Sequence, residues 1–456
     1  MTIETISPAT GELIAKYEEM SEATAISIIE SVHQSYLTWR RLSLEQRAIP
    51  VRVMADLLLD RQQQLAELMA AEMGKPLAQG KGEVEKCAGA CRHFADHASS
   101  YLAQRTIKTE MEKSFVTHEP LGVVFGIMPW NFPLWQVIRF AIPAMMAGNG
   151  ALLKHAGVST GTALEIEKLF KEAEFTAEIF RTLIISNDVA GMVISHPHVS
   201  AVSFTGSVGT GKIIAAEAGK ALKKTVLELG GSDAYVILED ADLELAAKTC
   251  VTSRMQNSGQ SCIAAKRFIV VDAVHEKFTS LVYEQLQSYV MGSPLDSATN
   301  CGPLARRDIR DQVHDQVQQS IKKGATLVTG GVIPDQSGFY YPPTMLTNVK
   351  PGMPAFYEEI FGPVVSVITA KNEDEAIMLA NDTEYGLGAA VFTKDIAHGE
   401  KIAATQLQAG TCVVNTMVSS DSRLPFGGIK HSGYGRELAQ EGILSFVNTK
   451  TVNIKA

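Results

Sequence analysis

One cysteine lies in a loop whose composition suits a reactive side chain. The residues NSGQS at 257–261 are small and polar, and Cys262 follows them between two segments with ordered patterns. A free cysteine is more often a buried small hydrophobe than a nucleophile, so the loop alone favours a structural role. As a thiolate, Cys262 could instead attack an electrophilic carbon. The choice depends on which side chains the rest of the chain brings to it.

Composition bounds the class of protein. A chain of 456 residues is too long for one core, so two or three domains are expected. The formal charge of -9 argues against nucleic acid and anionic membranes as partners, because both bind basic surfaces. The most apolar region, 121–153, is interrupted by prolines, asparagines and Arg139, which indicates buried core rather than a bilayer span.

The cysteines predict a reduced protein. They are scattered through a long chain without the dense spacing of a disulfide scaffold: Cys87, Cys91, Cys250, Cys262, Cys301 and Cys412. The N-terminus has no basic and apolar leader pattern, so a cytoplasmic location is expected.

A metal site is not expected. Cys87, Cys91, His93 and His97 fall within one predicted helix, but the two cysteines share a face from which His93 points away. His97 is too far along the helix axis from Cys87 for both to bind one ion.

The pattern of the elements predicts an α/β fold. Helical periodicity covers 25–39, 44–73 and 82–102, after which apolar strands at 121–128, 151–153, 199–204 and 225–229 alternate with helices. A second alternating region begins at residue 232, with strands at 234–238, 268–271, 364–369, 389–393 and 410–415. Such alternation predicts two parallel sheets. Gly230 and Gly231 suggest a hinge between them, which would place a site at the domain interface.

Candidate ligand-binding residues follow the strands of the first region, where parallel sheets bind ligands. Asn131 lies between two prolines after the first strand, Lys154 ends the second, and Glu228 ends the fourth. After the third strand, a glycine-rich loop at 205–212 opens a helix and could bind a phosphate. It nearly spells a nucleotide triphosphatase P-loop, but Ile213 stands where that motif needs a hydroxyl for Mg²⁺. A tight strand-to-helix turn is the alternative.

Seven segments, in order and over nearly the whole chain, carry a resemblance to a known family. They are PWNFP at 129–133, Lys154, FTGS at 204–207, LELGG at 227–231, GQSC at 259–262, EIFGP at 359–363 and PFGGIKHSG at 425–433. The sequence resembles the aldehyde dehydrogenase superfamily, and within it the shorter bacterial succinate-semialdehyde dehydrogenases.

The resemblance implies two Rossmann-like α/β domains plus a small β oligomerisation element. Residues 1–106 and 120–229 would form the cofactor-binding domain, and 230–435 the catalytic domain. Residues 107–119 and 436–456 would form the oligomerisation element of a homodimer or homotetramer, with the alternating strand at 445–455 paired to 107–119.

The resemblance also implies a mechanism. Cys262 would attack the aldehyde as a thiolate, which requires a pKa below the free value of about 8.5. The Asn131 amide and the Cys262 N–H would stabilise the oxyanion, and Glu228 would activate the water that hydrolyses the thioester. Without the motif, Glu228 would be read as a solvated strand-end carboxylate.

The cofactor implied is NAD or NADP. Its expected contacts are Trp130, Lys154, His155, Ala156, Gly157, Gly206, Ser207, Leu229, Glu359 and Phe361. Many NAD-preferring relatives carry Glu three residues after the lysine, where it repels a 2′-phosphate. Gly157 holds that position here, so use of both cofactors is expected.

The implied substrate is succinate semialdehyde, with another small aldehyde (glutarate semialdehyde or an aliphatic aldehyde) as the alternative. Arg139 matches an arginine that some relatives use for the distal carboxylate, although pairing with a neighbouring acid is an equal reading. A second such arginine is Gln256 here, with Arg254 as a possible substitute. A P-loop nucleotide switch and a non-catalytic structural relative are the readings from other classes; the second would be expected to lose Asn131, Glu228 or Cys262.

Overall fold

The computed structural model describes residues 2–455. The helices are α1 Glu22–Trp39, α2 Leu44–Asp60, α3 Gln62–Met73, α4 Leu77–Tyr101, α5 Trp135–Met146, α6 Thr160–Glu172, α7 Asn187–Ser195, α8 Val208–Lys220, α9 Leu243–Met255, α10 Asp272–Leu286, α11 Arg307–Lys322, α12 Pro354–Tyr357, α13 Glu373–Asn381, α14 Ile396–Thr405 and α15 Ala439–Ser445. None of these helices is both long enough and apolar enough to cross a bilayer.

The strands form four sheets. They are β1 Thr2–Ile6, β2 Leu13–Glu18, β3 Arg105–Ile107, β4 Lys113–Pro120, β5 Val123–Met128, β6 Gly150–His155, β7 Phe180–Thr182, β8 Val199–Thr205, β9 Lys224–Glu228, β10 Asp233–Ile237, β11 Ala265–Val271, β12 Thr326–Thr329, β13 Thr344–Thr347, β14 Val364–Ala370, β15 Gly388–Phe392, β16 Thr411–Val414, β17 Gly433–Tyr434 and β18 Val447–Ile454.

The first large sheet has the order β17-β9-β8-β5-β6-β7. Strands β5 to β9 are parallel, as the alternating pattern predicts, and the buried apolar residues of 121–153 form its core with α5. The edge strand β17 lies antiparallel to β9 and comes from the C-terminal part of the chain, inside the predicted catalytic range. The first sheet therefore receives one short strand that the predicted domain boundaries assign elsewhere.

The second large sheet has the order β12-β13-β14-β11-β10-β15-β16. Its strands are parallel except for β12, which is antiparallel to β13. The predicted α/β class and the pair of parallel sheets are thus confirmed. The chain passes from the first sheet to the second through residues 229–232, between β9 and β10.

The glycines of this connection lie where the chain packs closely on other segments. A Cβ on Gly230 would lie 2.4 Å from Oε2 of Glu359, and one on Gly231 would lie 2.6 Å from the Cys262 carbonyl oxygen. Because no side chain fits at either position, the two glycines let the connection lie directly against the Cys262 loop and the Glu359 carboxylate.

A small sheet of order β18-β4-β3 stands apart from the other two. The C-terminal strand pairs antiparallel with residues 113–120, which confirms the predicted partner segment. Its own length is mostly exposed, and its outer edge pairs with no other strand among residues 2–455.

Two local predictions were wrong, and one element was not predicted. The helix predicted over 44–73 is interrupted at Arg61, giving α2 and α3. The helix predicted from residue 82 begins at Leu77. It therefore includes Gly80, which packs closely on another helix: a Cβ at this position would lie only 3.0 Å from Ala66 Cβ. The hairpin β1-β2 was not predicted; its β1 strand packs against the 3-10 turn Gly157–Ser159, and both of its strands are largely exposed.

Candidate active site

The Cys262 loop has an unusual backbone. Asn257 and Ser258 adopt left-handed conformations with φ of 54°, and Gly259 follows with φ of 78°. Residues other than glycine rarely adopt this left-handed backbone conformation. Surrounding contacts must therefore hold Asn257 and Ser258 in it. A Cβ on Gly259 would lie 2.1 Å from the Gly362 carbonyl oxygen, so this position requires glycine. The loop is therefore a built feature that fixes where Cys262 projects.

Two asparagines tie the loop to the turn that follows β5. Asn131 Nδ2 donates to the Gln260 carbonyl at 3.2 Å, while Asn257 Nδ2 donates to the Asn131 carbonyl at 2.8 Å. Asn257 Nδ2 also reaches the Gln260 carbonyl at 3.2 Å. Because an amide nitrogen carries two N–H groups, Asn131 keeps one donor beyond the bond to Gln260. The structure thus brings Asn131 and the Cys262 loop together.

Two buried cations hold the same loop from the other side. Lys266 Nζ donates to the carbonyls of Ser261 at 2.9 Å and Cys262 at 2.7 Å, and lies 3.6 Å from Glu359 Oε1. Arg254 Nη2 donates to the carbonyls of Gly259 at 2.8 Å and Ile360 at 3.0 Å, and also to that of Gly362. Both cations therefore join the nucleophile loop to the segment that carries Glu359.

Arg254, a predicted substrate contact, lies behind the nucleophile loop rather than in a cavity wall. Its side chain is fully buried, the hydrogen bonds of its Nη2 go to backbone carbonyls, and it lines neither of the cavities at Cys262. Burial lowers the pKa of the guanidinium to about 9, with Glu359 and Asp233 opposing the shift. Gln256, the residue at the position of the relatives' second arginine, does line the smaller cavity.

The larger cavity at Cys262 has a volume of about 260 Å³. Six of the ten predicted cofactor contacts line it, together with Asn131 and Cys262: Trp130, Gly206, Ser207, Leu229, Glu359 and Phe361. Trp130 and Phe361 meet edge to face, with ring centroids 5.8 Å apart. Ser207 caps α8 by accepting the Thr210 N–H at 3.3 Å, and it lines the cavity together with Gly206.

The other four predicted cofactor contacts, at 154–157, do not line this cavity. His155 is buried, and its Nε2 lies 3.0 Å from the Pro133 carbonyl. Lys154 is half-buried, and Gly157 begins a 3-10 turn. Ala156 packs in a cluster with Trp130 and Phe361, which places the 154–157 turn directly beside the cavity wall.

A smaller cavity of about 60 Å³ lies on the other side of the cysteine. Cys262 and Gln136 line both cavities, so the thiol stands where the two meet. The remaining walls of the smaller cavity combine apolar, hydroxyl and cationic side chains: Lys86, Phe132, Trp135, Arg139, Gln256, Ser261, Ile263, Met417, Val418, Ser419, Ser420 and Phe426.

Comparison with known protein families gives a match over nearly the whole chain, including all the residues of this site. The aldehyde dehydrogenase family matches residues 1–452. This chain belongs to the aldehyde dehydrogenase family. Within the family, a Synechocystis protein whose name is "Probable succinate-semialdehyde dehydrogenase", with NADP(+) as the named cofactor, is 46% identical over 452 residues, which are 99% of each chain.

Two further relatives agree. A succinate semialdehyde dehydrogenase of Escherichia coli, named for NAD(P)+, is 42% identical over 98% of this chain and 96% of its own length. The crystal structure of the succinic semialdehyde dehydrogenase from Streptococcus pyogenes in complex with NADP+ has a TM-score of 0.97 and 37% identity, with both chains fully covered.

Arg139 of this aldehyde dehydrogenase is paired with an acid. Its Nε contacts Oε2 of Glu437, its Nη2 donates to Thr205 Oγ1 at 3.3 Å, and its guanidinium carbon lies 5.0 Å from the centre of the Phe426 ring. Pairing with a nearby acid was one of the two readings of this arginine, and the structure shows it. Arg139 nevertheless lines the smaller cavity as well.

The thiol of Cys262 is not activated in this state. Burial raises its pKa to about 12, although Lys266 and Arg139 act to lower it. The lowered pKa that attack requires is therefore absent from the protein alone, and the thiolate fraction grows with rising pH. The positive charges of Lys266 and Arg139 favour the thiolate, and the pKa of Cys262 must be lowered further before attack.

Glu228 lies close to the cysteine but is turned away from both cavities. Oε1 lies against Gly427, where a Cβ would be only 2.7 Å away, and neither cavity includes the side chain. Burial raises its pKa well above the usual range, with Arg139 opposing the shift and Glu437 adding to it. Neither carboxyl oxygen has a hydrogen-bond partner among the described residues. Burial therefore favours the protonated form of this carboxyl group.

Three functional candidates were missed by the sequence reasoning. Lys86 lines the smaller cavity from α4, Lys266 supports the nucleophile loop, and Glu437 holds Arg139. Lys266 lies within the AAKR segment that follows the cysteine, so its position was a usable signal. Lys86 and Glu437 gave none, because they are distant in sequence from the groups that they meet.

The four residues examined as a metal cluster have other roles. Cys87 and Cys91 are buried core residues, while His93 stacks on His97 and bonds to the Tyr101 hydroxyl at 3.0 Å. Across residues 2–455, no group of three or more His, Cys, Asp or Glu side chains is arranged to hold a metal ion.

Proposed function

We propose that this protein oxidises succinate semialdehyde to succinate with NADP or NAD, through a thioester on Cys262. The observation that carries the proposal is the position of Cys262 at the junction of two cavities, one suited to a dinucleotide and one to a short anionic aldehyde. Its relatives at 42–46% identity are named for this substrate. Glutarate semialdehyde or an aliphatic aldehyde is the alternative substrate.

The residues of the larger cavity fit a nicotinamide dinucleotide. The first N–H groups of α8 lack intrahelical acceptors and suit a pyrophosphate, while the half-buried Glu359 carboxylate suits ribose hydroxyls. Trp130, Leu229 and Phe361 supply apolar walls. When bound, the nicotinamide ring supplies the acceptor for the hydride that leaves the substrate carbon. Lys154 and Gly157 would contact the adenosine end from the turn beside the cavity.

The chemistry of acylation falls to the Cys262 loop. The sulfur adds to the aldehyde carbon, and the oxygen that gains charge is stabilised by the Cys262 N–H and by the Asn131 N–H that is free of Gln260. Loss of hydride from the resulting thiohemiacetal leaves a thioester on Cys262. The rigid loop keeps these donors in place during both events.

Hydrolysis of the thioester requires a base. Glu228 is the candidate, after it rotates from the Gly427 side toward the cavity and loses its proton. It would then take a proton from the attacking water, so that succinate leaves and the Cys262 thiol is restored. Rotation into a wetter cavity also lowers its pKa, because desolvation is the main cause of the shift.

The proposal is tested by following NADPH and NADH formation with a panel of four-carbon and five-carbon aldehydes. We expect the highest kcat/KM for succinate semialdehyde, at least tenfold above butyraldehyde, since one charge-assisted contact to the distal carboxylate is worth about 1.5–3 kcal/mol. Equal values for the two aldehydes would contradict the substrate assignment. A higher value for glutarate semialdehyde would favour the alternative.

Cofactor choice gives a second prediction, because residue 157 carries no charge. Replacing Gly157 by Glu introduces a carboxylate beside the expected 2′-phosphate, and we expect kcat/KM for NADP to fall about 10- to 100-fold while that for NAD changes less. The matched control is Gly157→Gln, which adds a side chain of the same size without the charge. This control is needed because a Cβ added at residue 157 would lie only 3.0 Å from Ile3 Cγ2. If both variants lose NADP activity equally, crowding rather than charge is the cause.

The assembly proposed is a homodimer or homotetramer in the cytoplasm. Support comes from the exposed β18, whose outer edge can pair with a second copy, and from a reaction that needs a reduced thiol. Light scattering of the purified protein tests the assembly; a monomer at micromolar concentration would contradict it.

A further inference from the structure

The smaller cavity adjoins a surface cleft that shares no lining residue with the larger cavity. The cleft has a volume of about 340 Å³ and is lined by one face of α4 and by a loop: Lys86, Gly89, Ala90, His93, Ser420, Asp421, Ser422 and Arg423. Lys86 and Ser420 line both the cleft and the smaller cavity. Cys262 is shared with the larger cavity and Lys86 with the cleft, so the two residues lie toward different sides of the smaller cavity.

Lys86 is held in place without an anionic partner. Its Nζ donates to Ser420 Oγ at 2.7 Å and lies 4.4 Å from the centre of the Trp135 ring. Within the described part of the chain, no carboxylate oxygen lies within 4 Å of this ammonium. A half-buried ammonium with only a hydroxyl and an aromatic face as partners is a costly arrangement that an anion would relieve.

The acids nearest to Lys86 are engaged elsewhere. Glu83 pairs with Lys75 and accepts the N–H groups of Leu134 and Trp135, each at 2.9 Å. Asp421 pairs with Arg423 through Nε at 2.9 Å and Nη2 at 2.6 Å.

The other cation of the cavity is neutralised. Arg139 is paired with Glu437, whose side chain is buried with it. Of the two cations that line the smaller cavity, Lys86 is thus the one whose charge is uncompensated.

We infer that Lys86, with the Ser420 hydroxyl, binds the distal carboxylate of the substrate and is the main determinant of its anionic specificity. The carboxylate takes the place of Ser420 Oγ as acceptor for the ammonium, and the Ser420 O–H turns to donate to the second carboxylate oxygen. Arg139 then serves mainly to position the acids around Glu228. This inference rests on the proposed oxidation of a semialdehyde and identifies the residue that recognises its far end.

The charge state of Lys86 adds a pH dependence. Burial lowers its pKa to about 8, with Arg139 acting in the same direction and with Cys87, Glu83 and Asp421 opposing it. The amine is protonated below that pH and neutral above it, so attraction for a carboxylate is present at pH 7 and lost as the pH rises past 8. His93 and Arg423 face the same cleft; His93 is largely neutral over this range, because burial and His97 lower its pKa.

The test is the ratio of kcat/KM for succinate semialdehyde to that for butyraldehyde, which cancels effects on the shared chemistry. We expect Lys86→Met to lower this ratio about 10- to 100-fold, mainly through KM for the semialdehyde, and Lys86→Arg to keep most of it. The matched control is Lys81→Met, which removes the same charge from α4 outside the three cavities. In the native protein the ratio should fall between pH 7 and pH 9, and in Lys86→Arg it should stay flat.

The outcomes separate the two proposals. A native ratio near one means that the semialdehyde assignment fails, and with it the role of Lys86. A high native ratio that Lys86→Met leaves unchanged overturns the role of Lys86 alone. If Lys86→Met does not fold, the pH profiles of the native protein and of Lys86→Arg decide: equal dependence in both overturns the inference.

Discussion

Replacing Cys262 by alanine abolishes aldehyde oxidation, with kcat/KM reduced by about 10⁴-fold or more, the scale on which enzymes lose activity when a covalent nucleophile is removed. The physical reason is that, among residues 2–455, no other residue with a thiol or hydroxyl group lines both cavities. Formation of NADPH measured by absorbance gives the rate. Binding of NADPH, followed by its fluorescence, should survive, because the variant leaves the walls of the larger cavity intact.

The matched control is Cys412→Ala, which removes a half-buried thiol from β16 outside both cavities. We expect it to retain the native rate within about twofold, as substitutions away from special features do. Residual activity of more than about 1% in Cys262→Ala would contradict covalent catalysis by this cysteine.

Replacing Glu228 by glutamine separates the two halves of the reaction. We expect a rapid burst of one NADPH for each active site, followed by a steady rate about 10²- to 10⁴-fold below that of the native protein, because general-base catalysis of hydrolysis is lost. In the described conformation Glu228 contacts neither cavity, so formation of the thioester should not need it. Stopped-flow absorbance resolves the burst from the steady rate.

The control for Glu228→Gln is Glu239→Gln, which changes an exposed acid that follows the strand β10 in the other sheet. A burst that slows in proportion to the steady rate would mean that Glu228 also activates the thiol, and the assignment to hydrolysis alone would be wrong.

The fold could be predicted because its signals are local, whereas the candidate catalytic residues follow from the family resemblance together with their positions after parallel strands. Motifs that follow parallel strands identify Asn131, Ser207 and Glu228, since the topology sends the ends of those strands to one edge. The pairing of the C-terminal strand could also be predicted, because the strand has an alternating sequence pattern and no partner strand nearby in the sequence.

What could not be predicted depends on contacts between distant segments. Arg139 could be read as a substrate ligand or as half of an ion pair, and only the fold shows Glu437 beside it. From the sequence, Arg254 could substitute for the arginine that relatives carry at the position of Gln256. Only the fold shows that the strained loop beside Arg254 needs a donor for its buried Gly259 carbonyl. The orientation of Glu228 depends on Gly427, which belongs to a loop from the other end of the chain.

The most direct test of the central claim is mass spectrometry of Glu228→Gln after mixing with succinate semialdehyde and NADP. We expect one succinyl group per chain, located on the peptide that contains Cys262. We expect none when NADP is omitted, because the thioester forms only after hydride loss. A succinyl group on another residue, or a burst of NADPH without any acylated Cys262, would contradict a thioester intermediate at this cysteine.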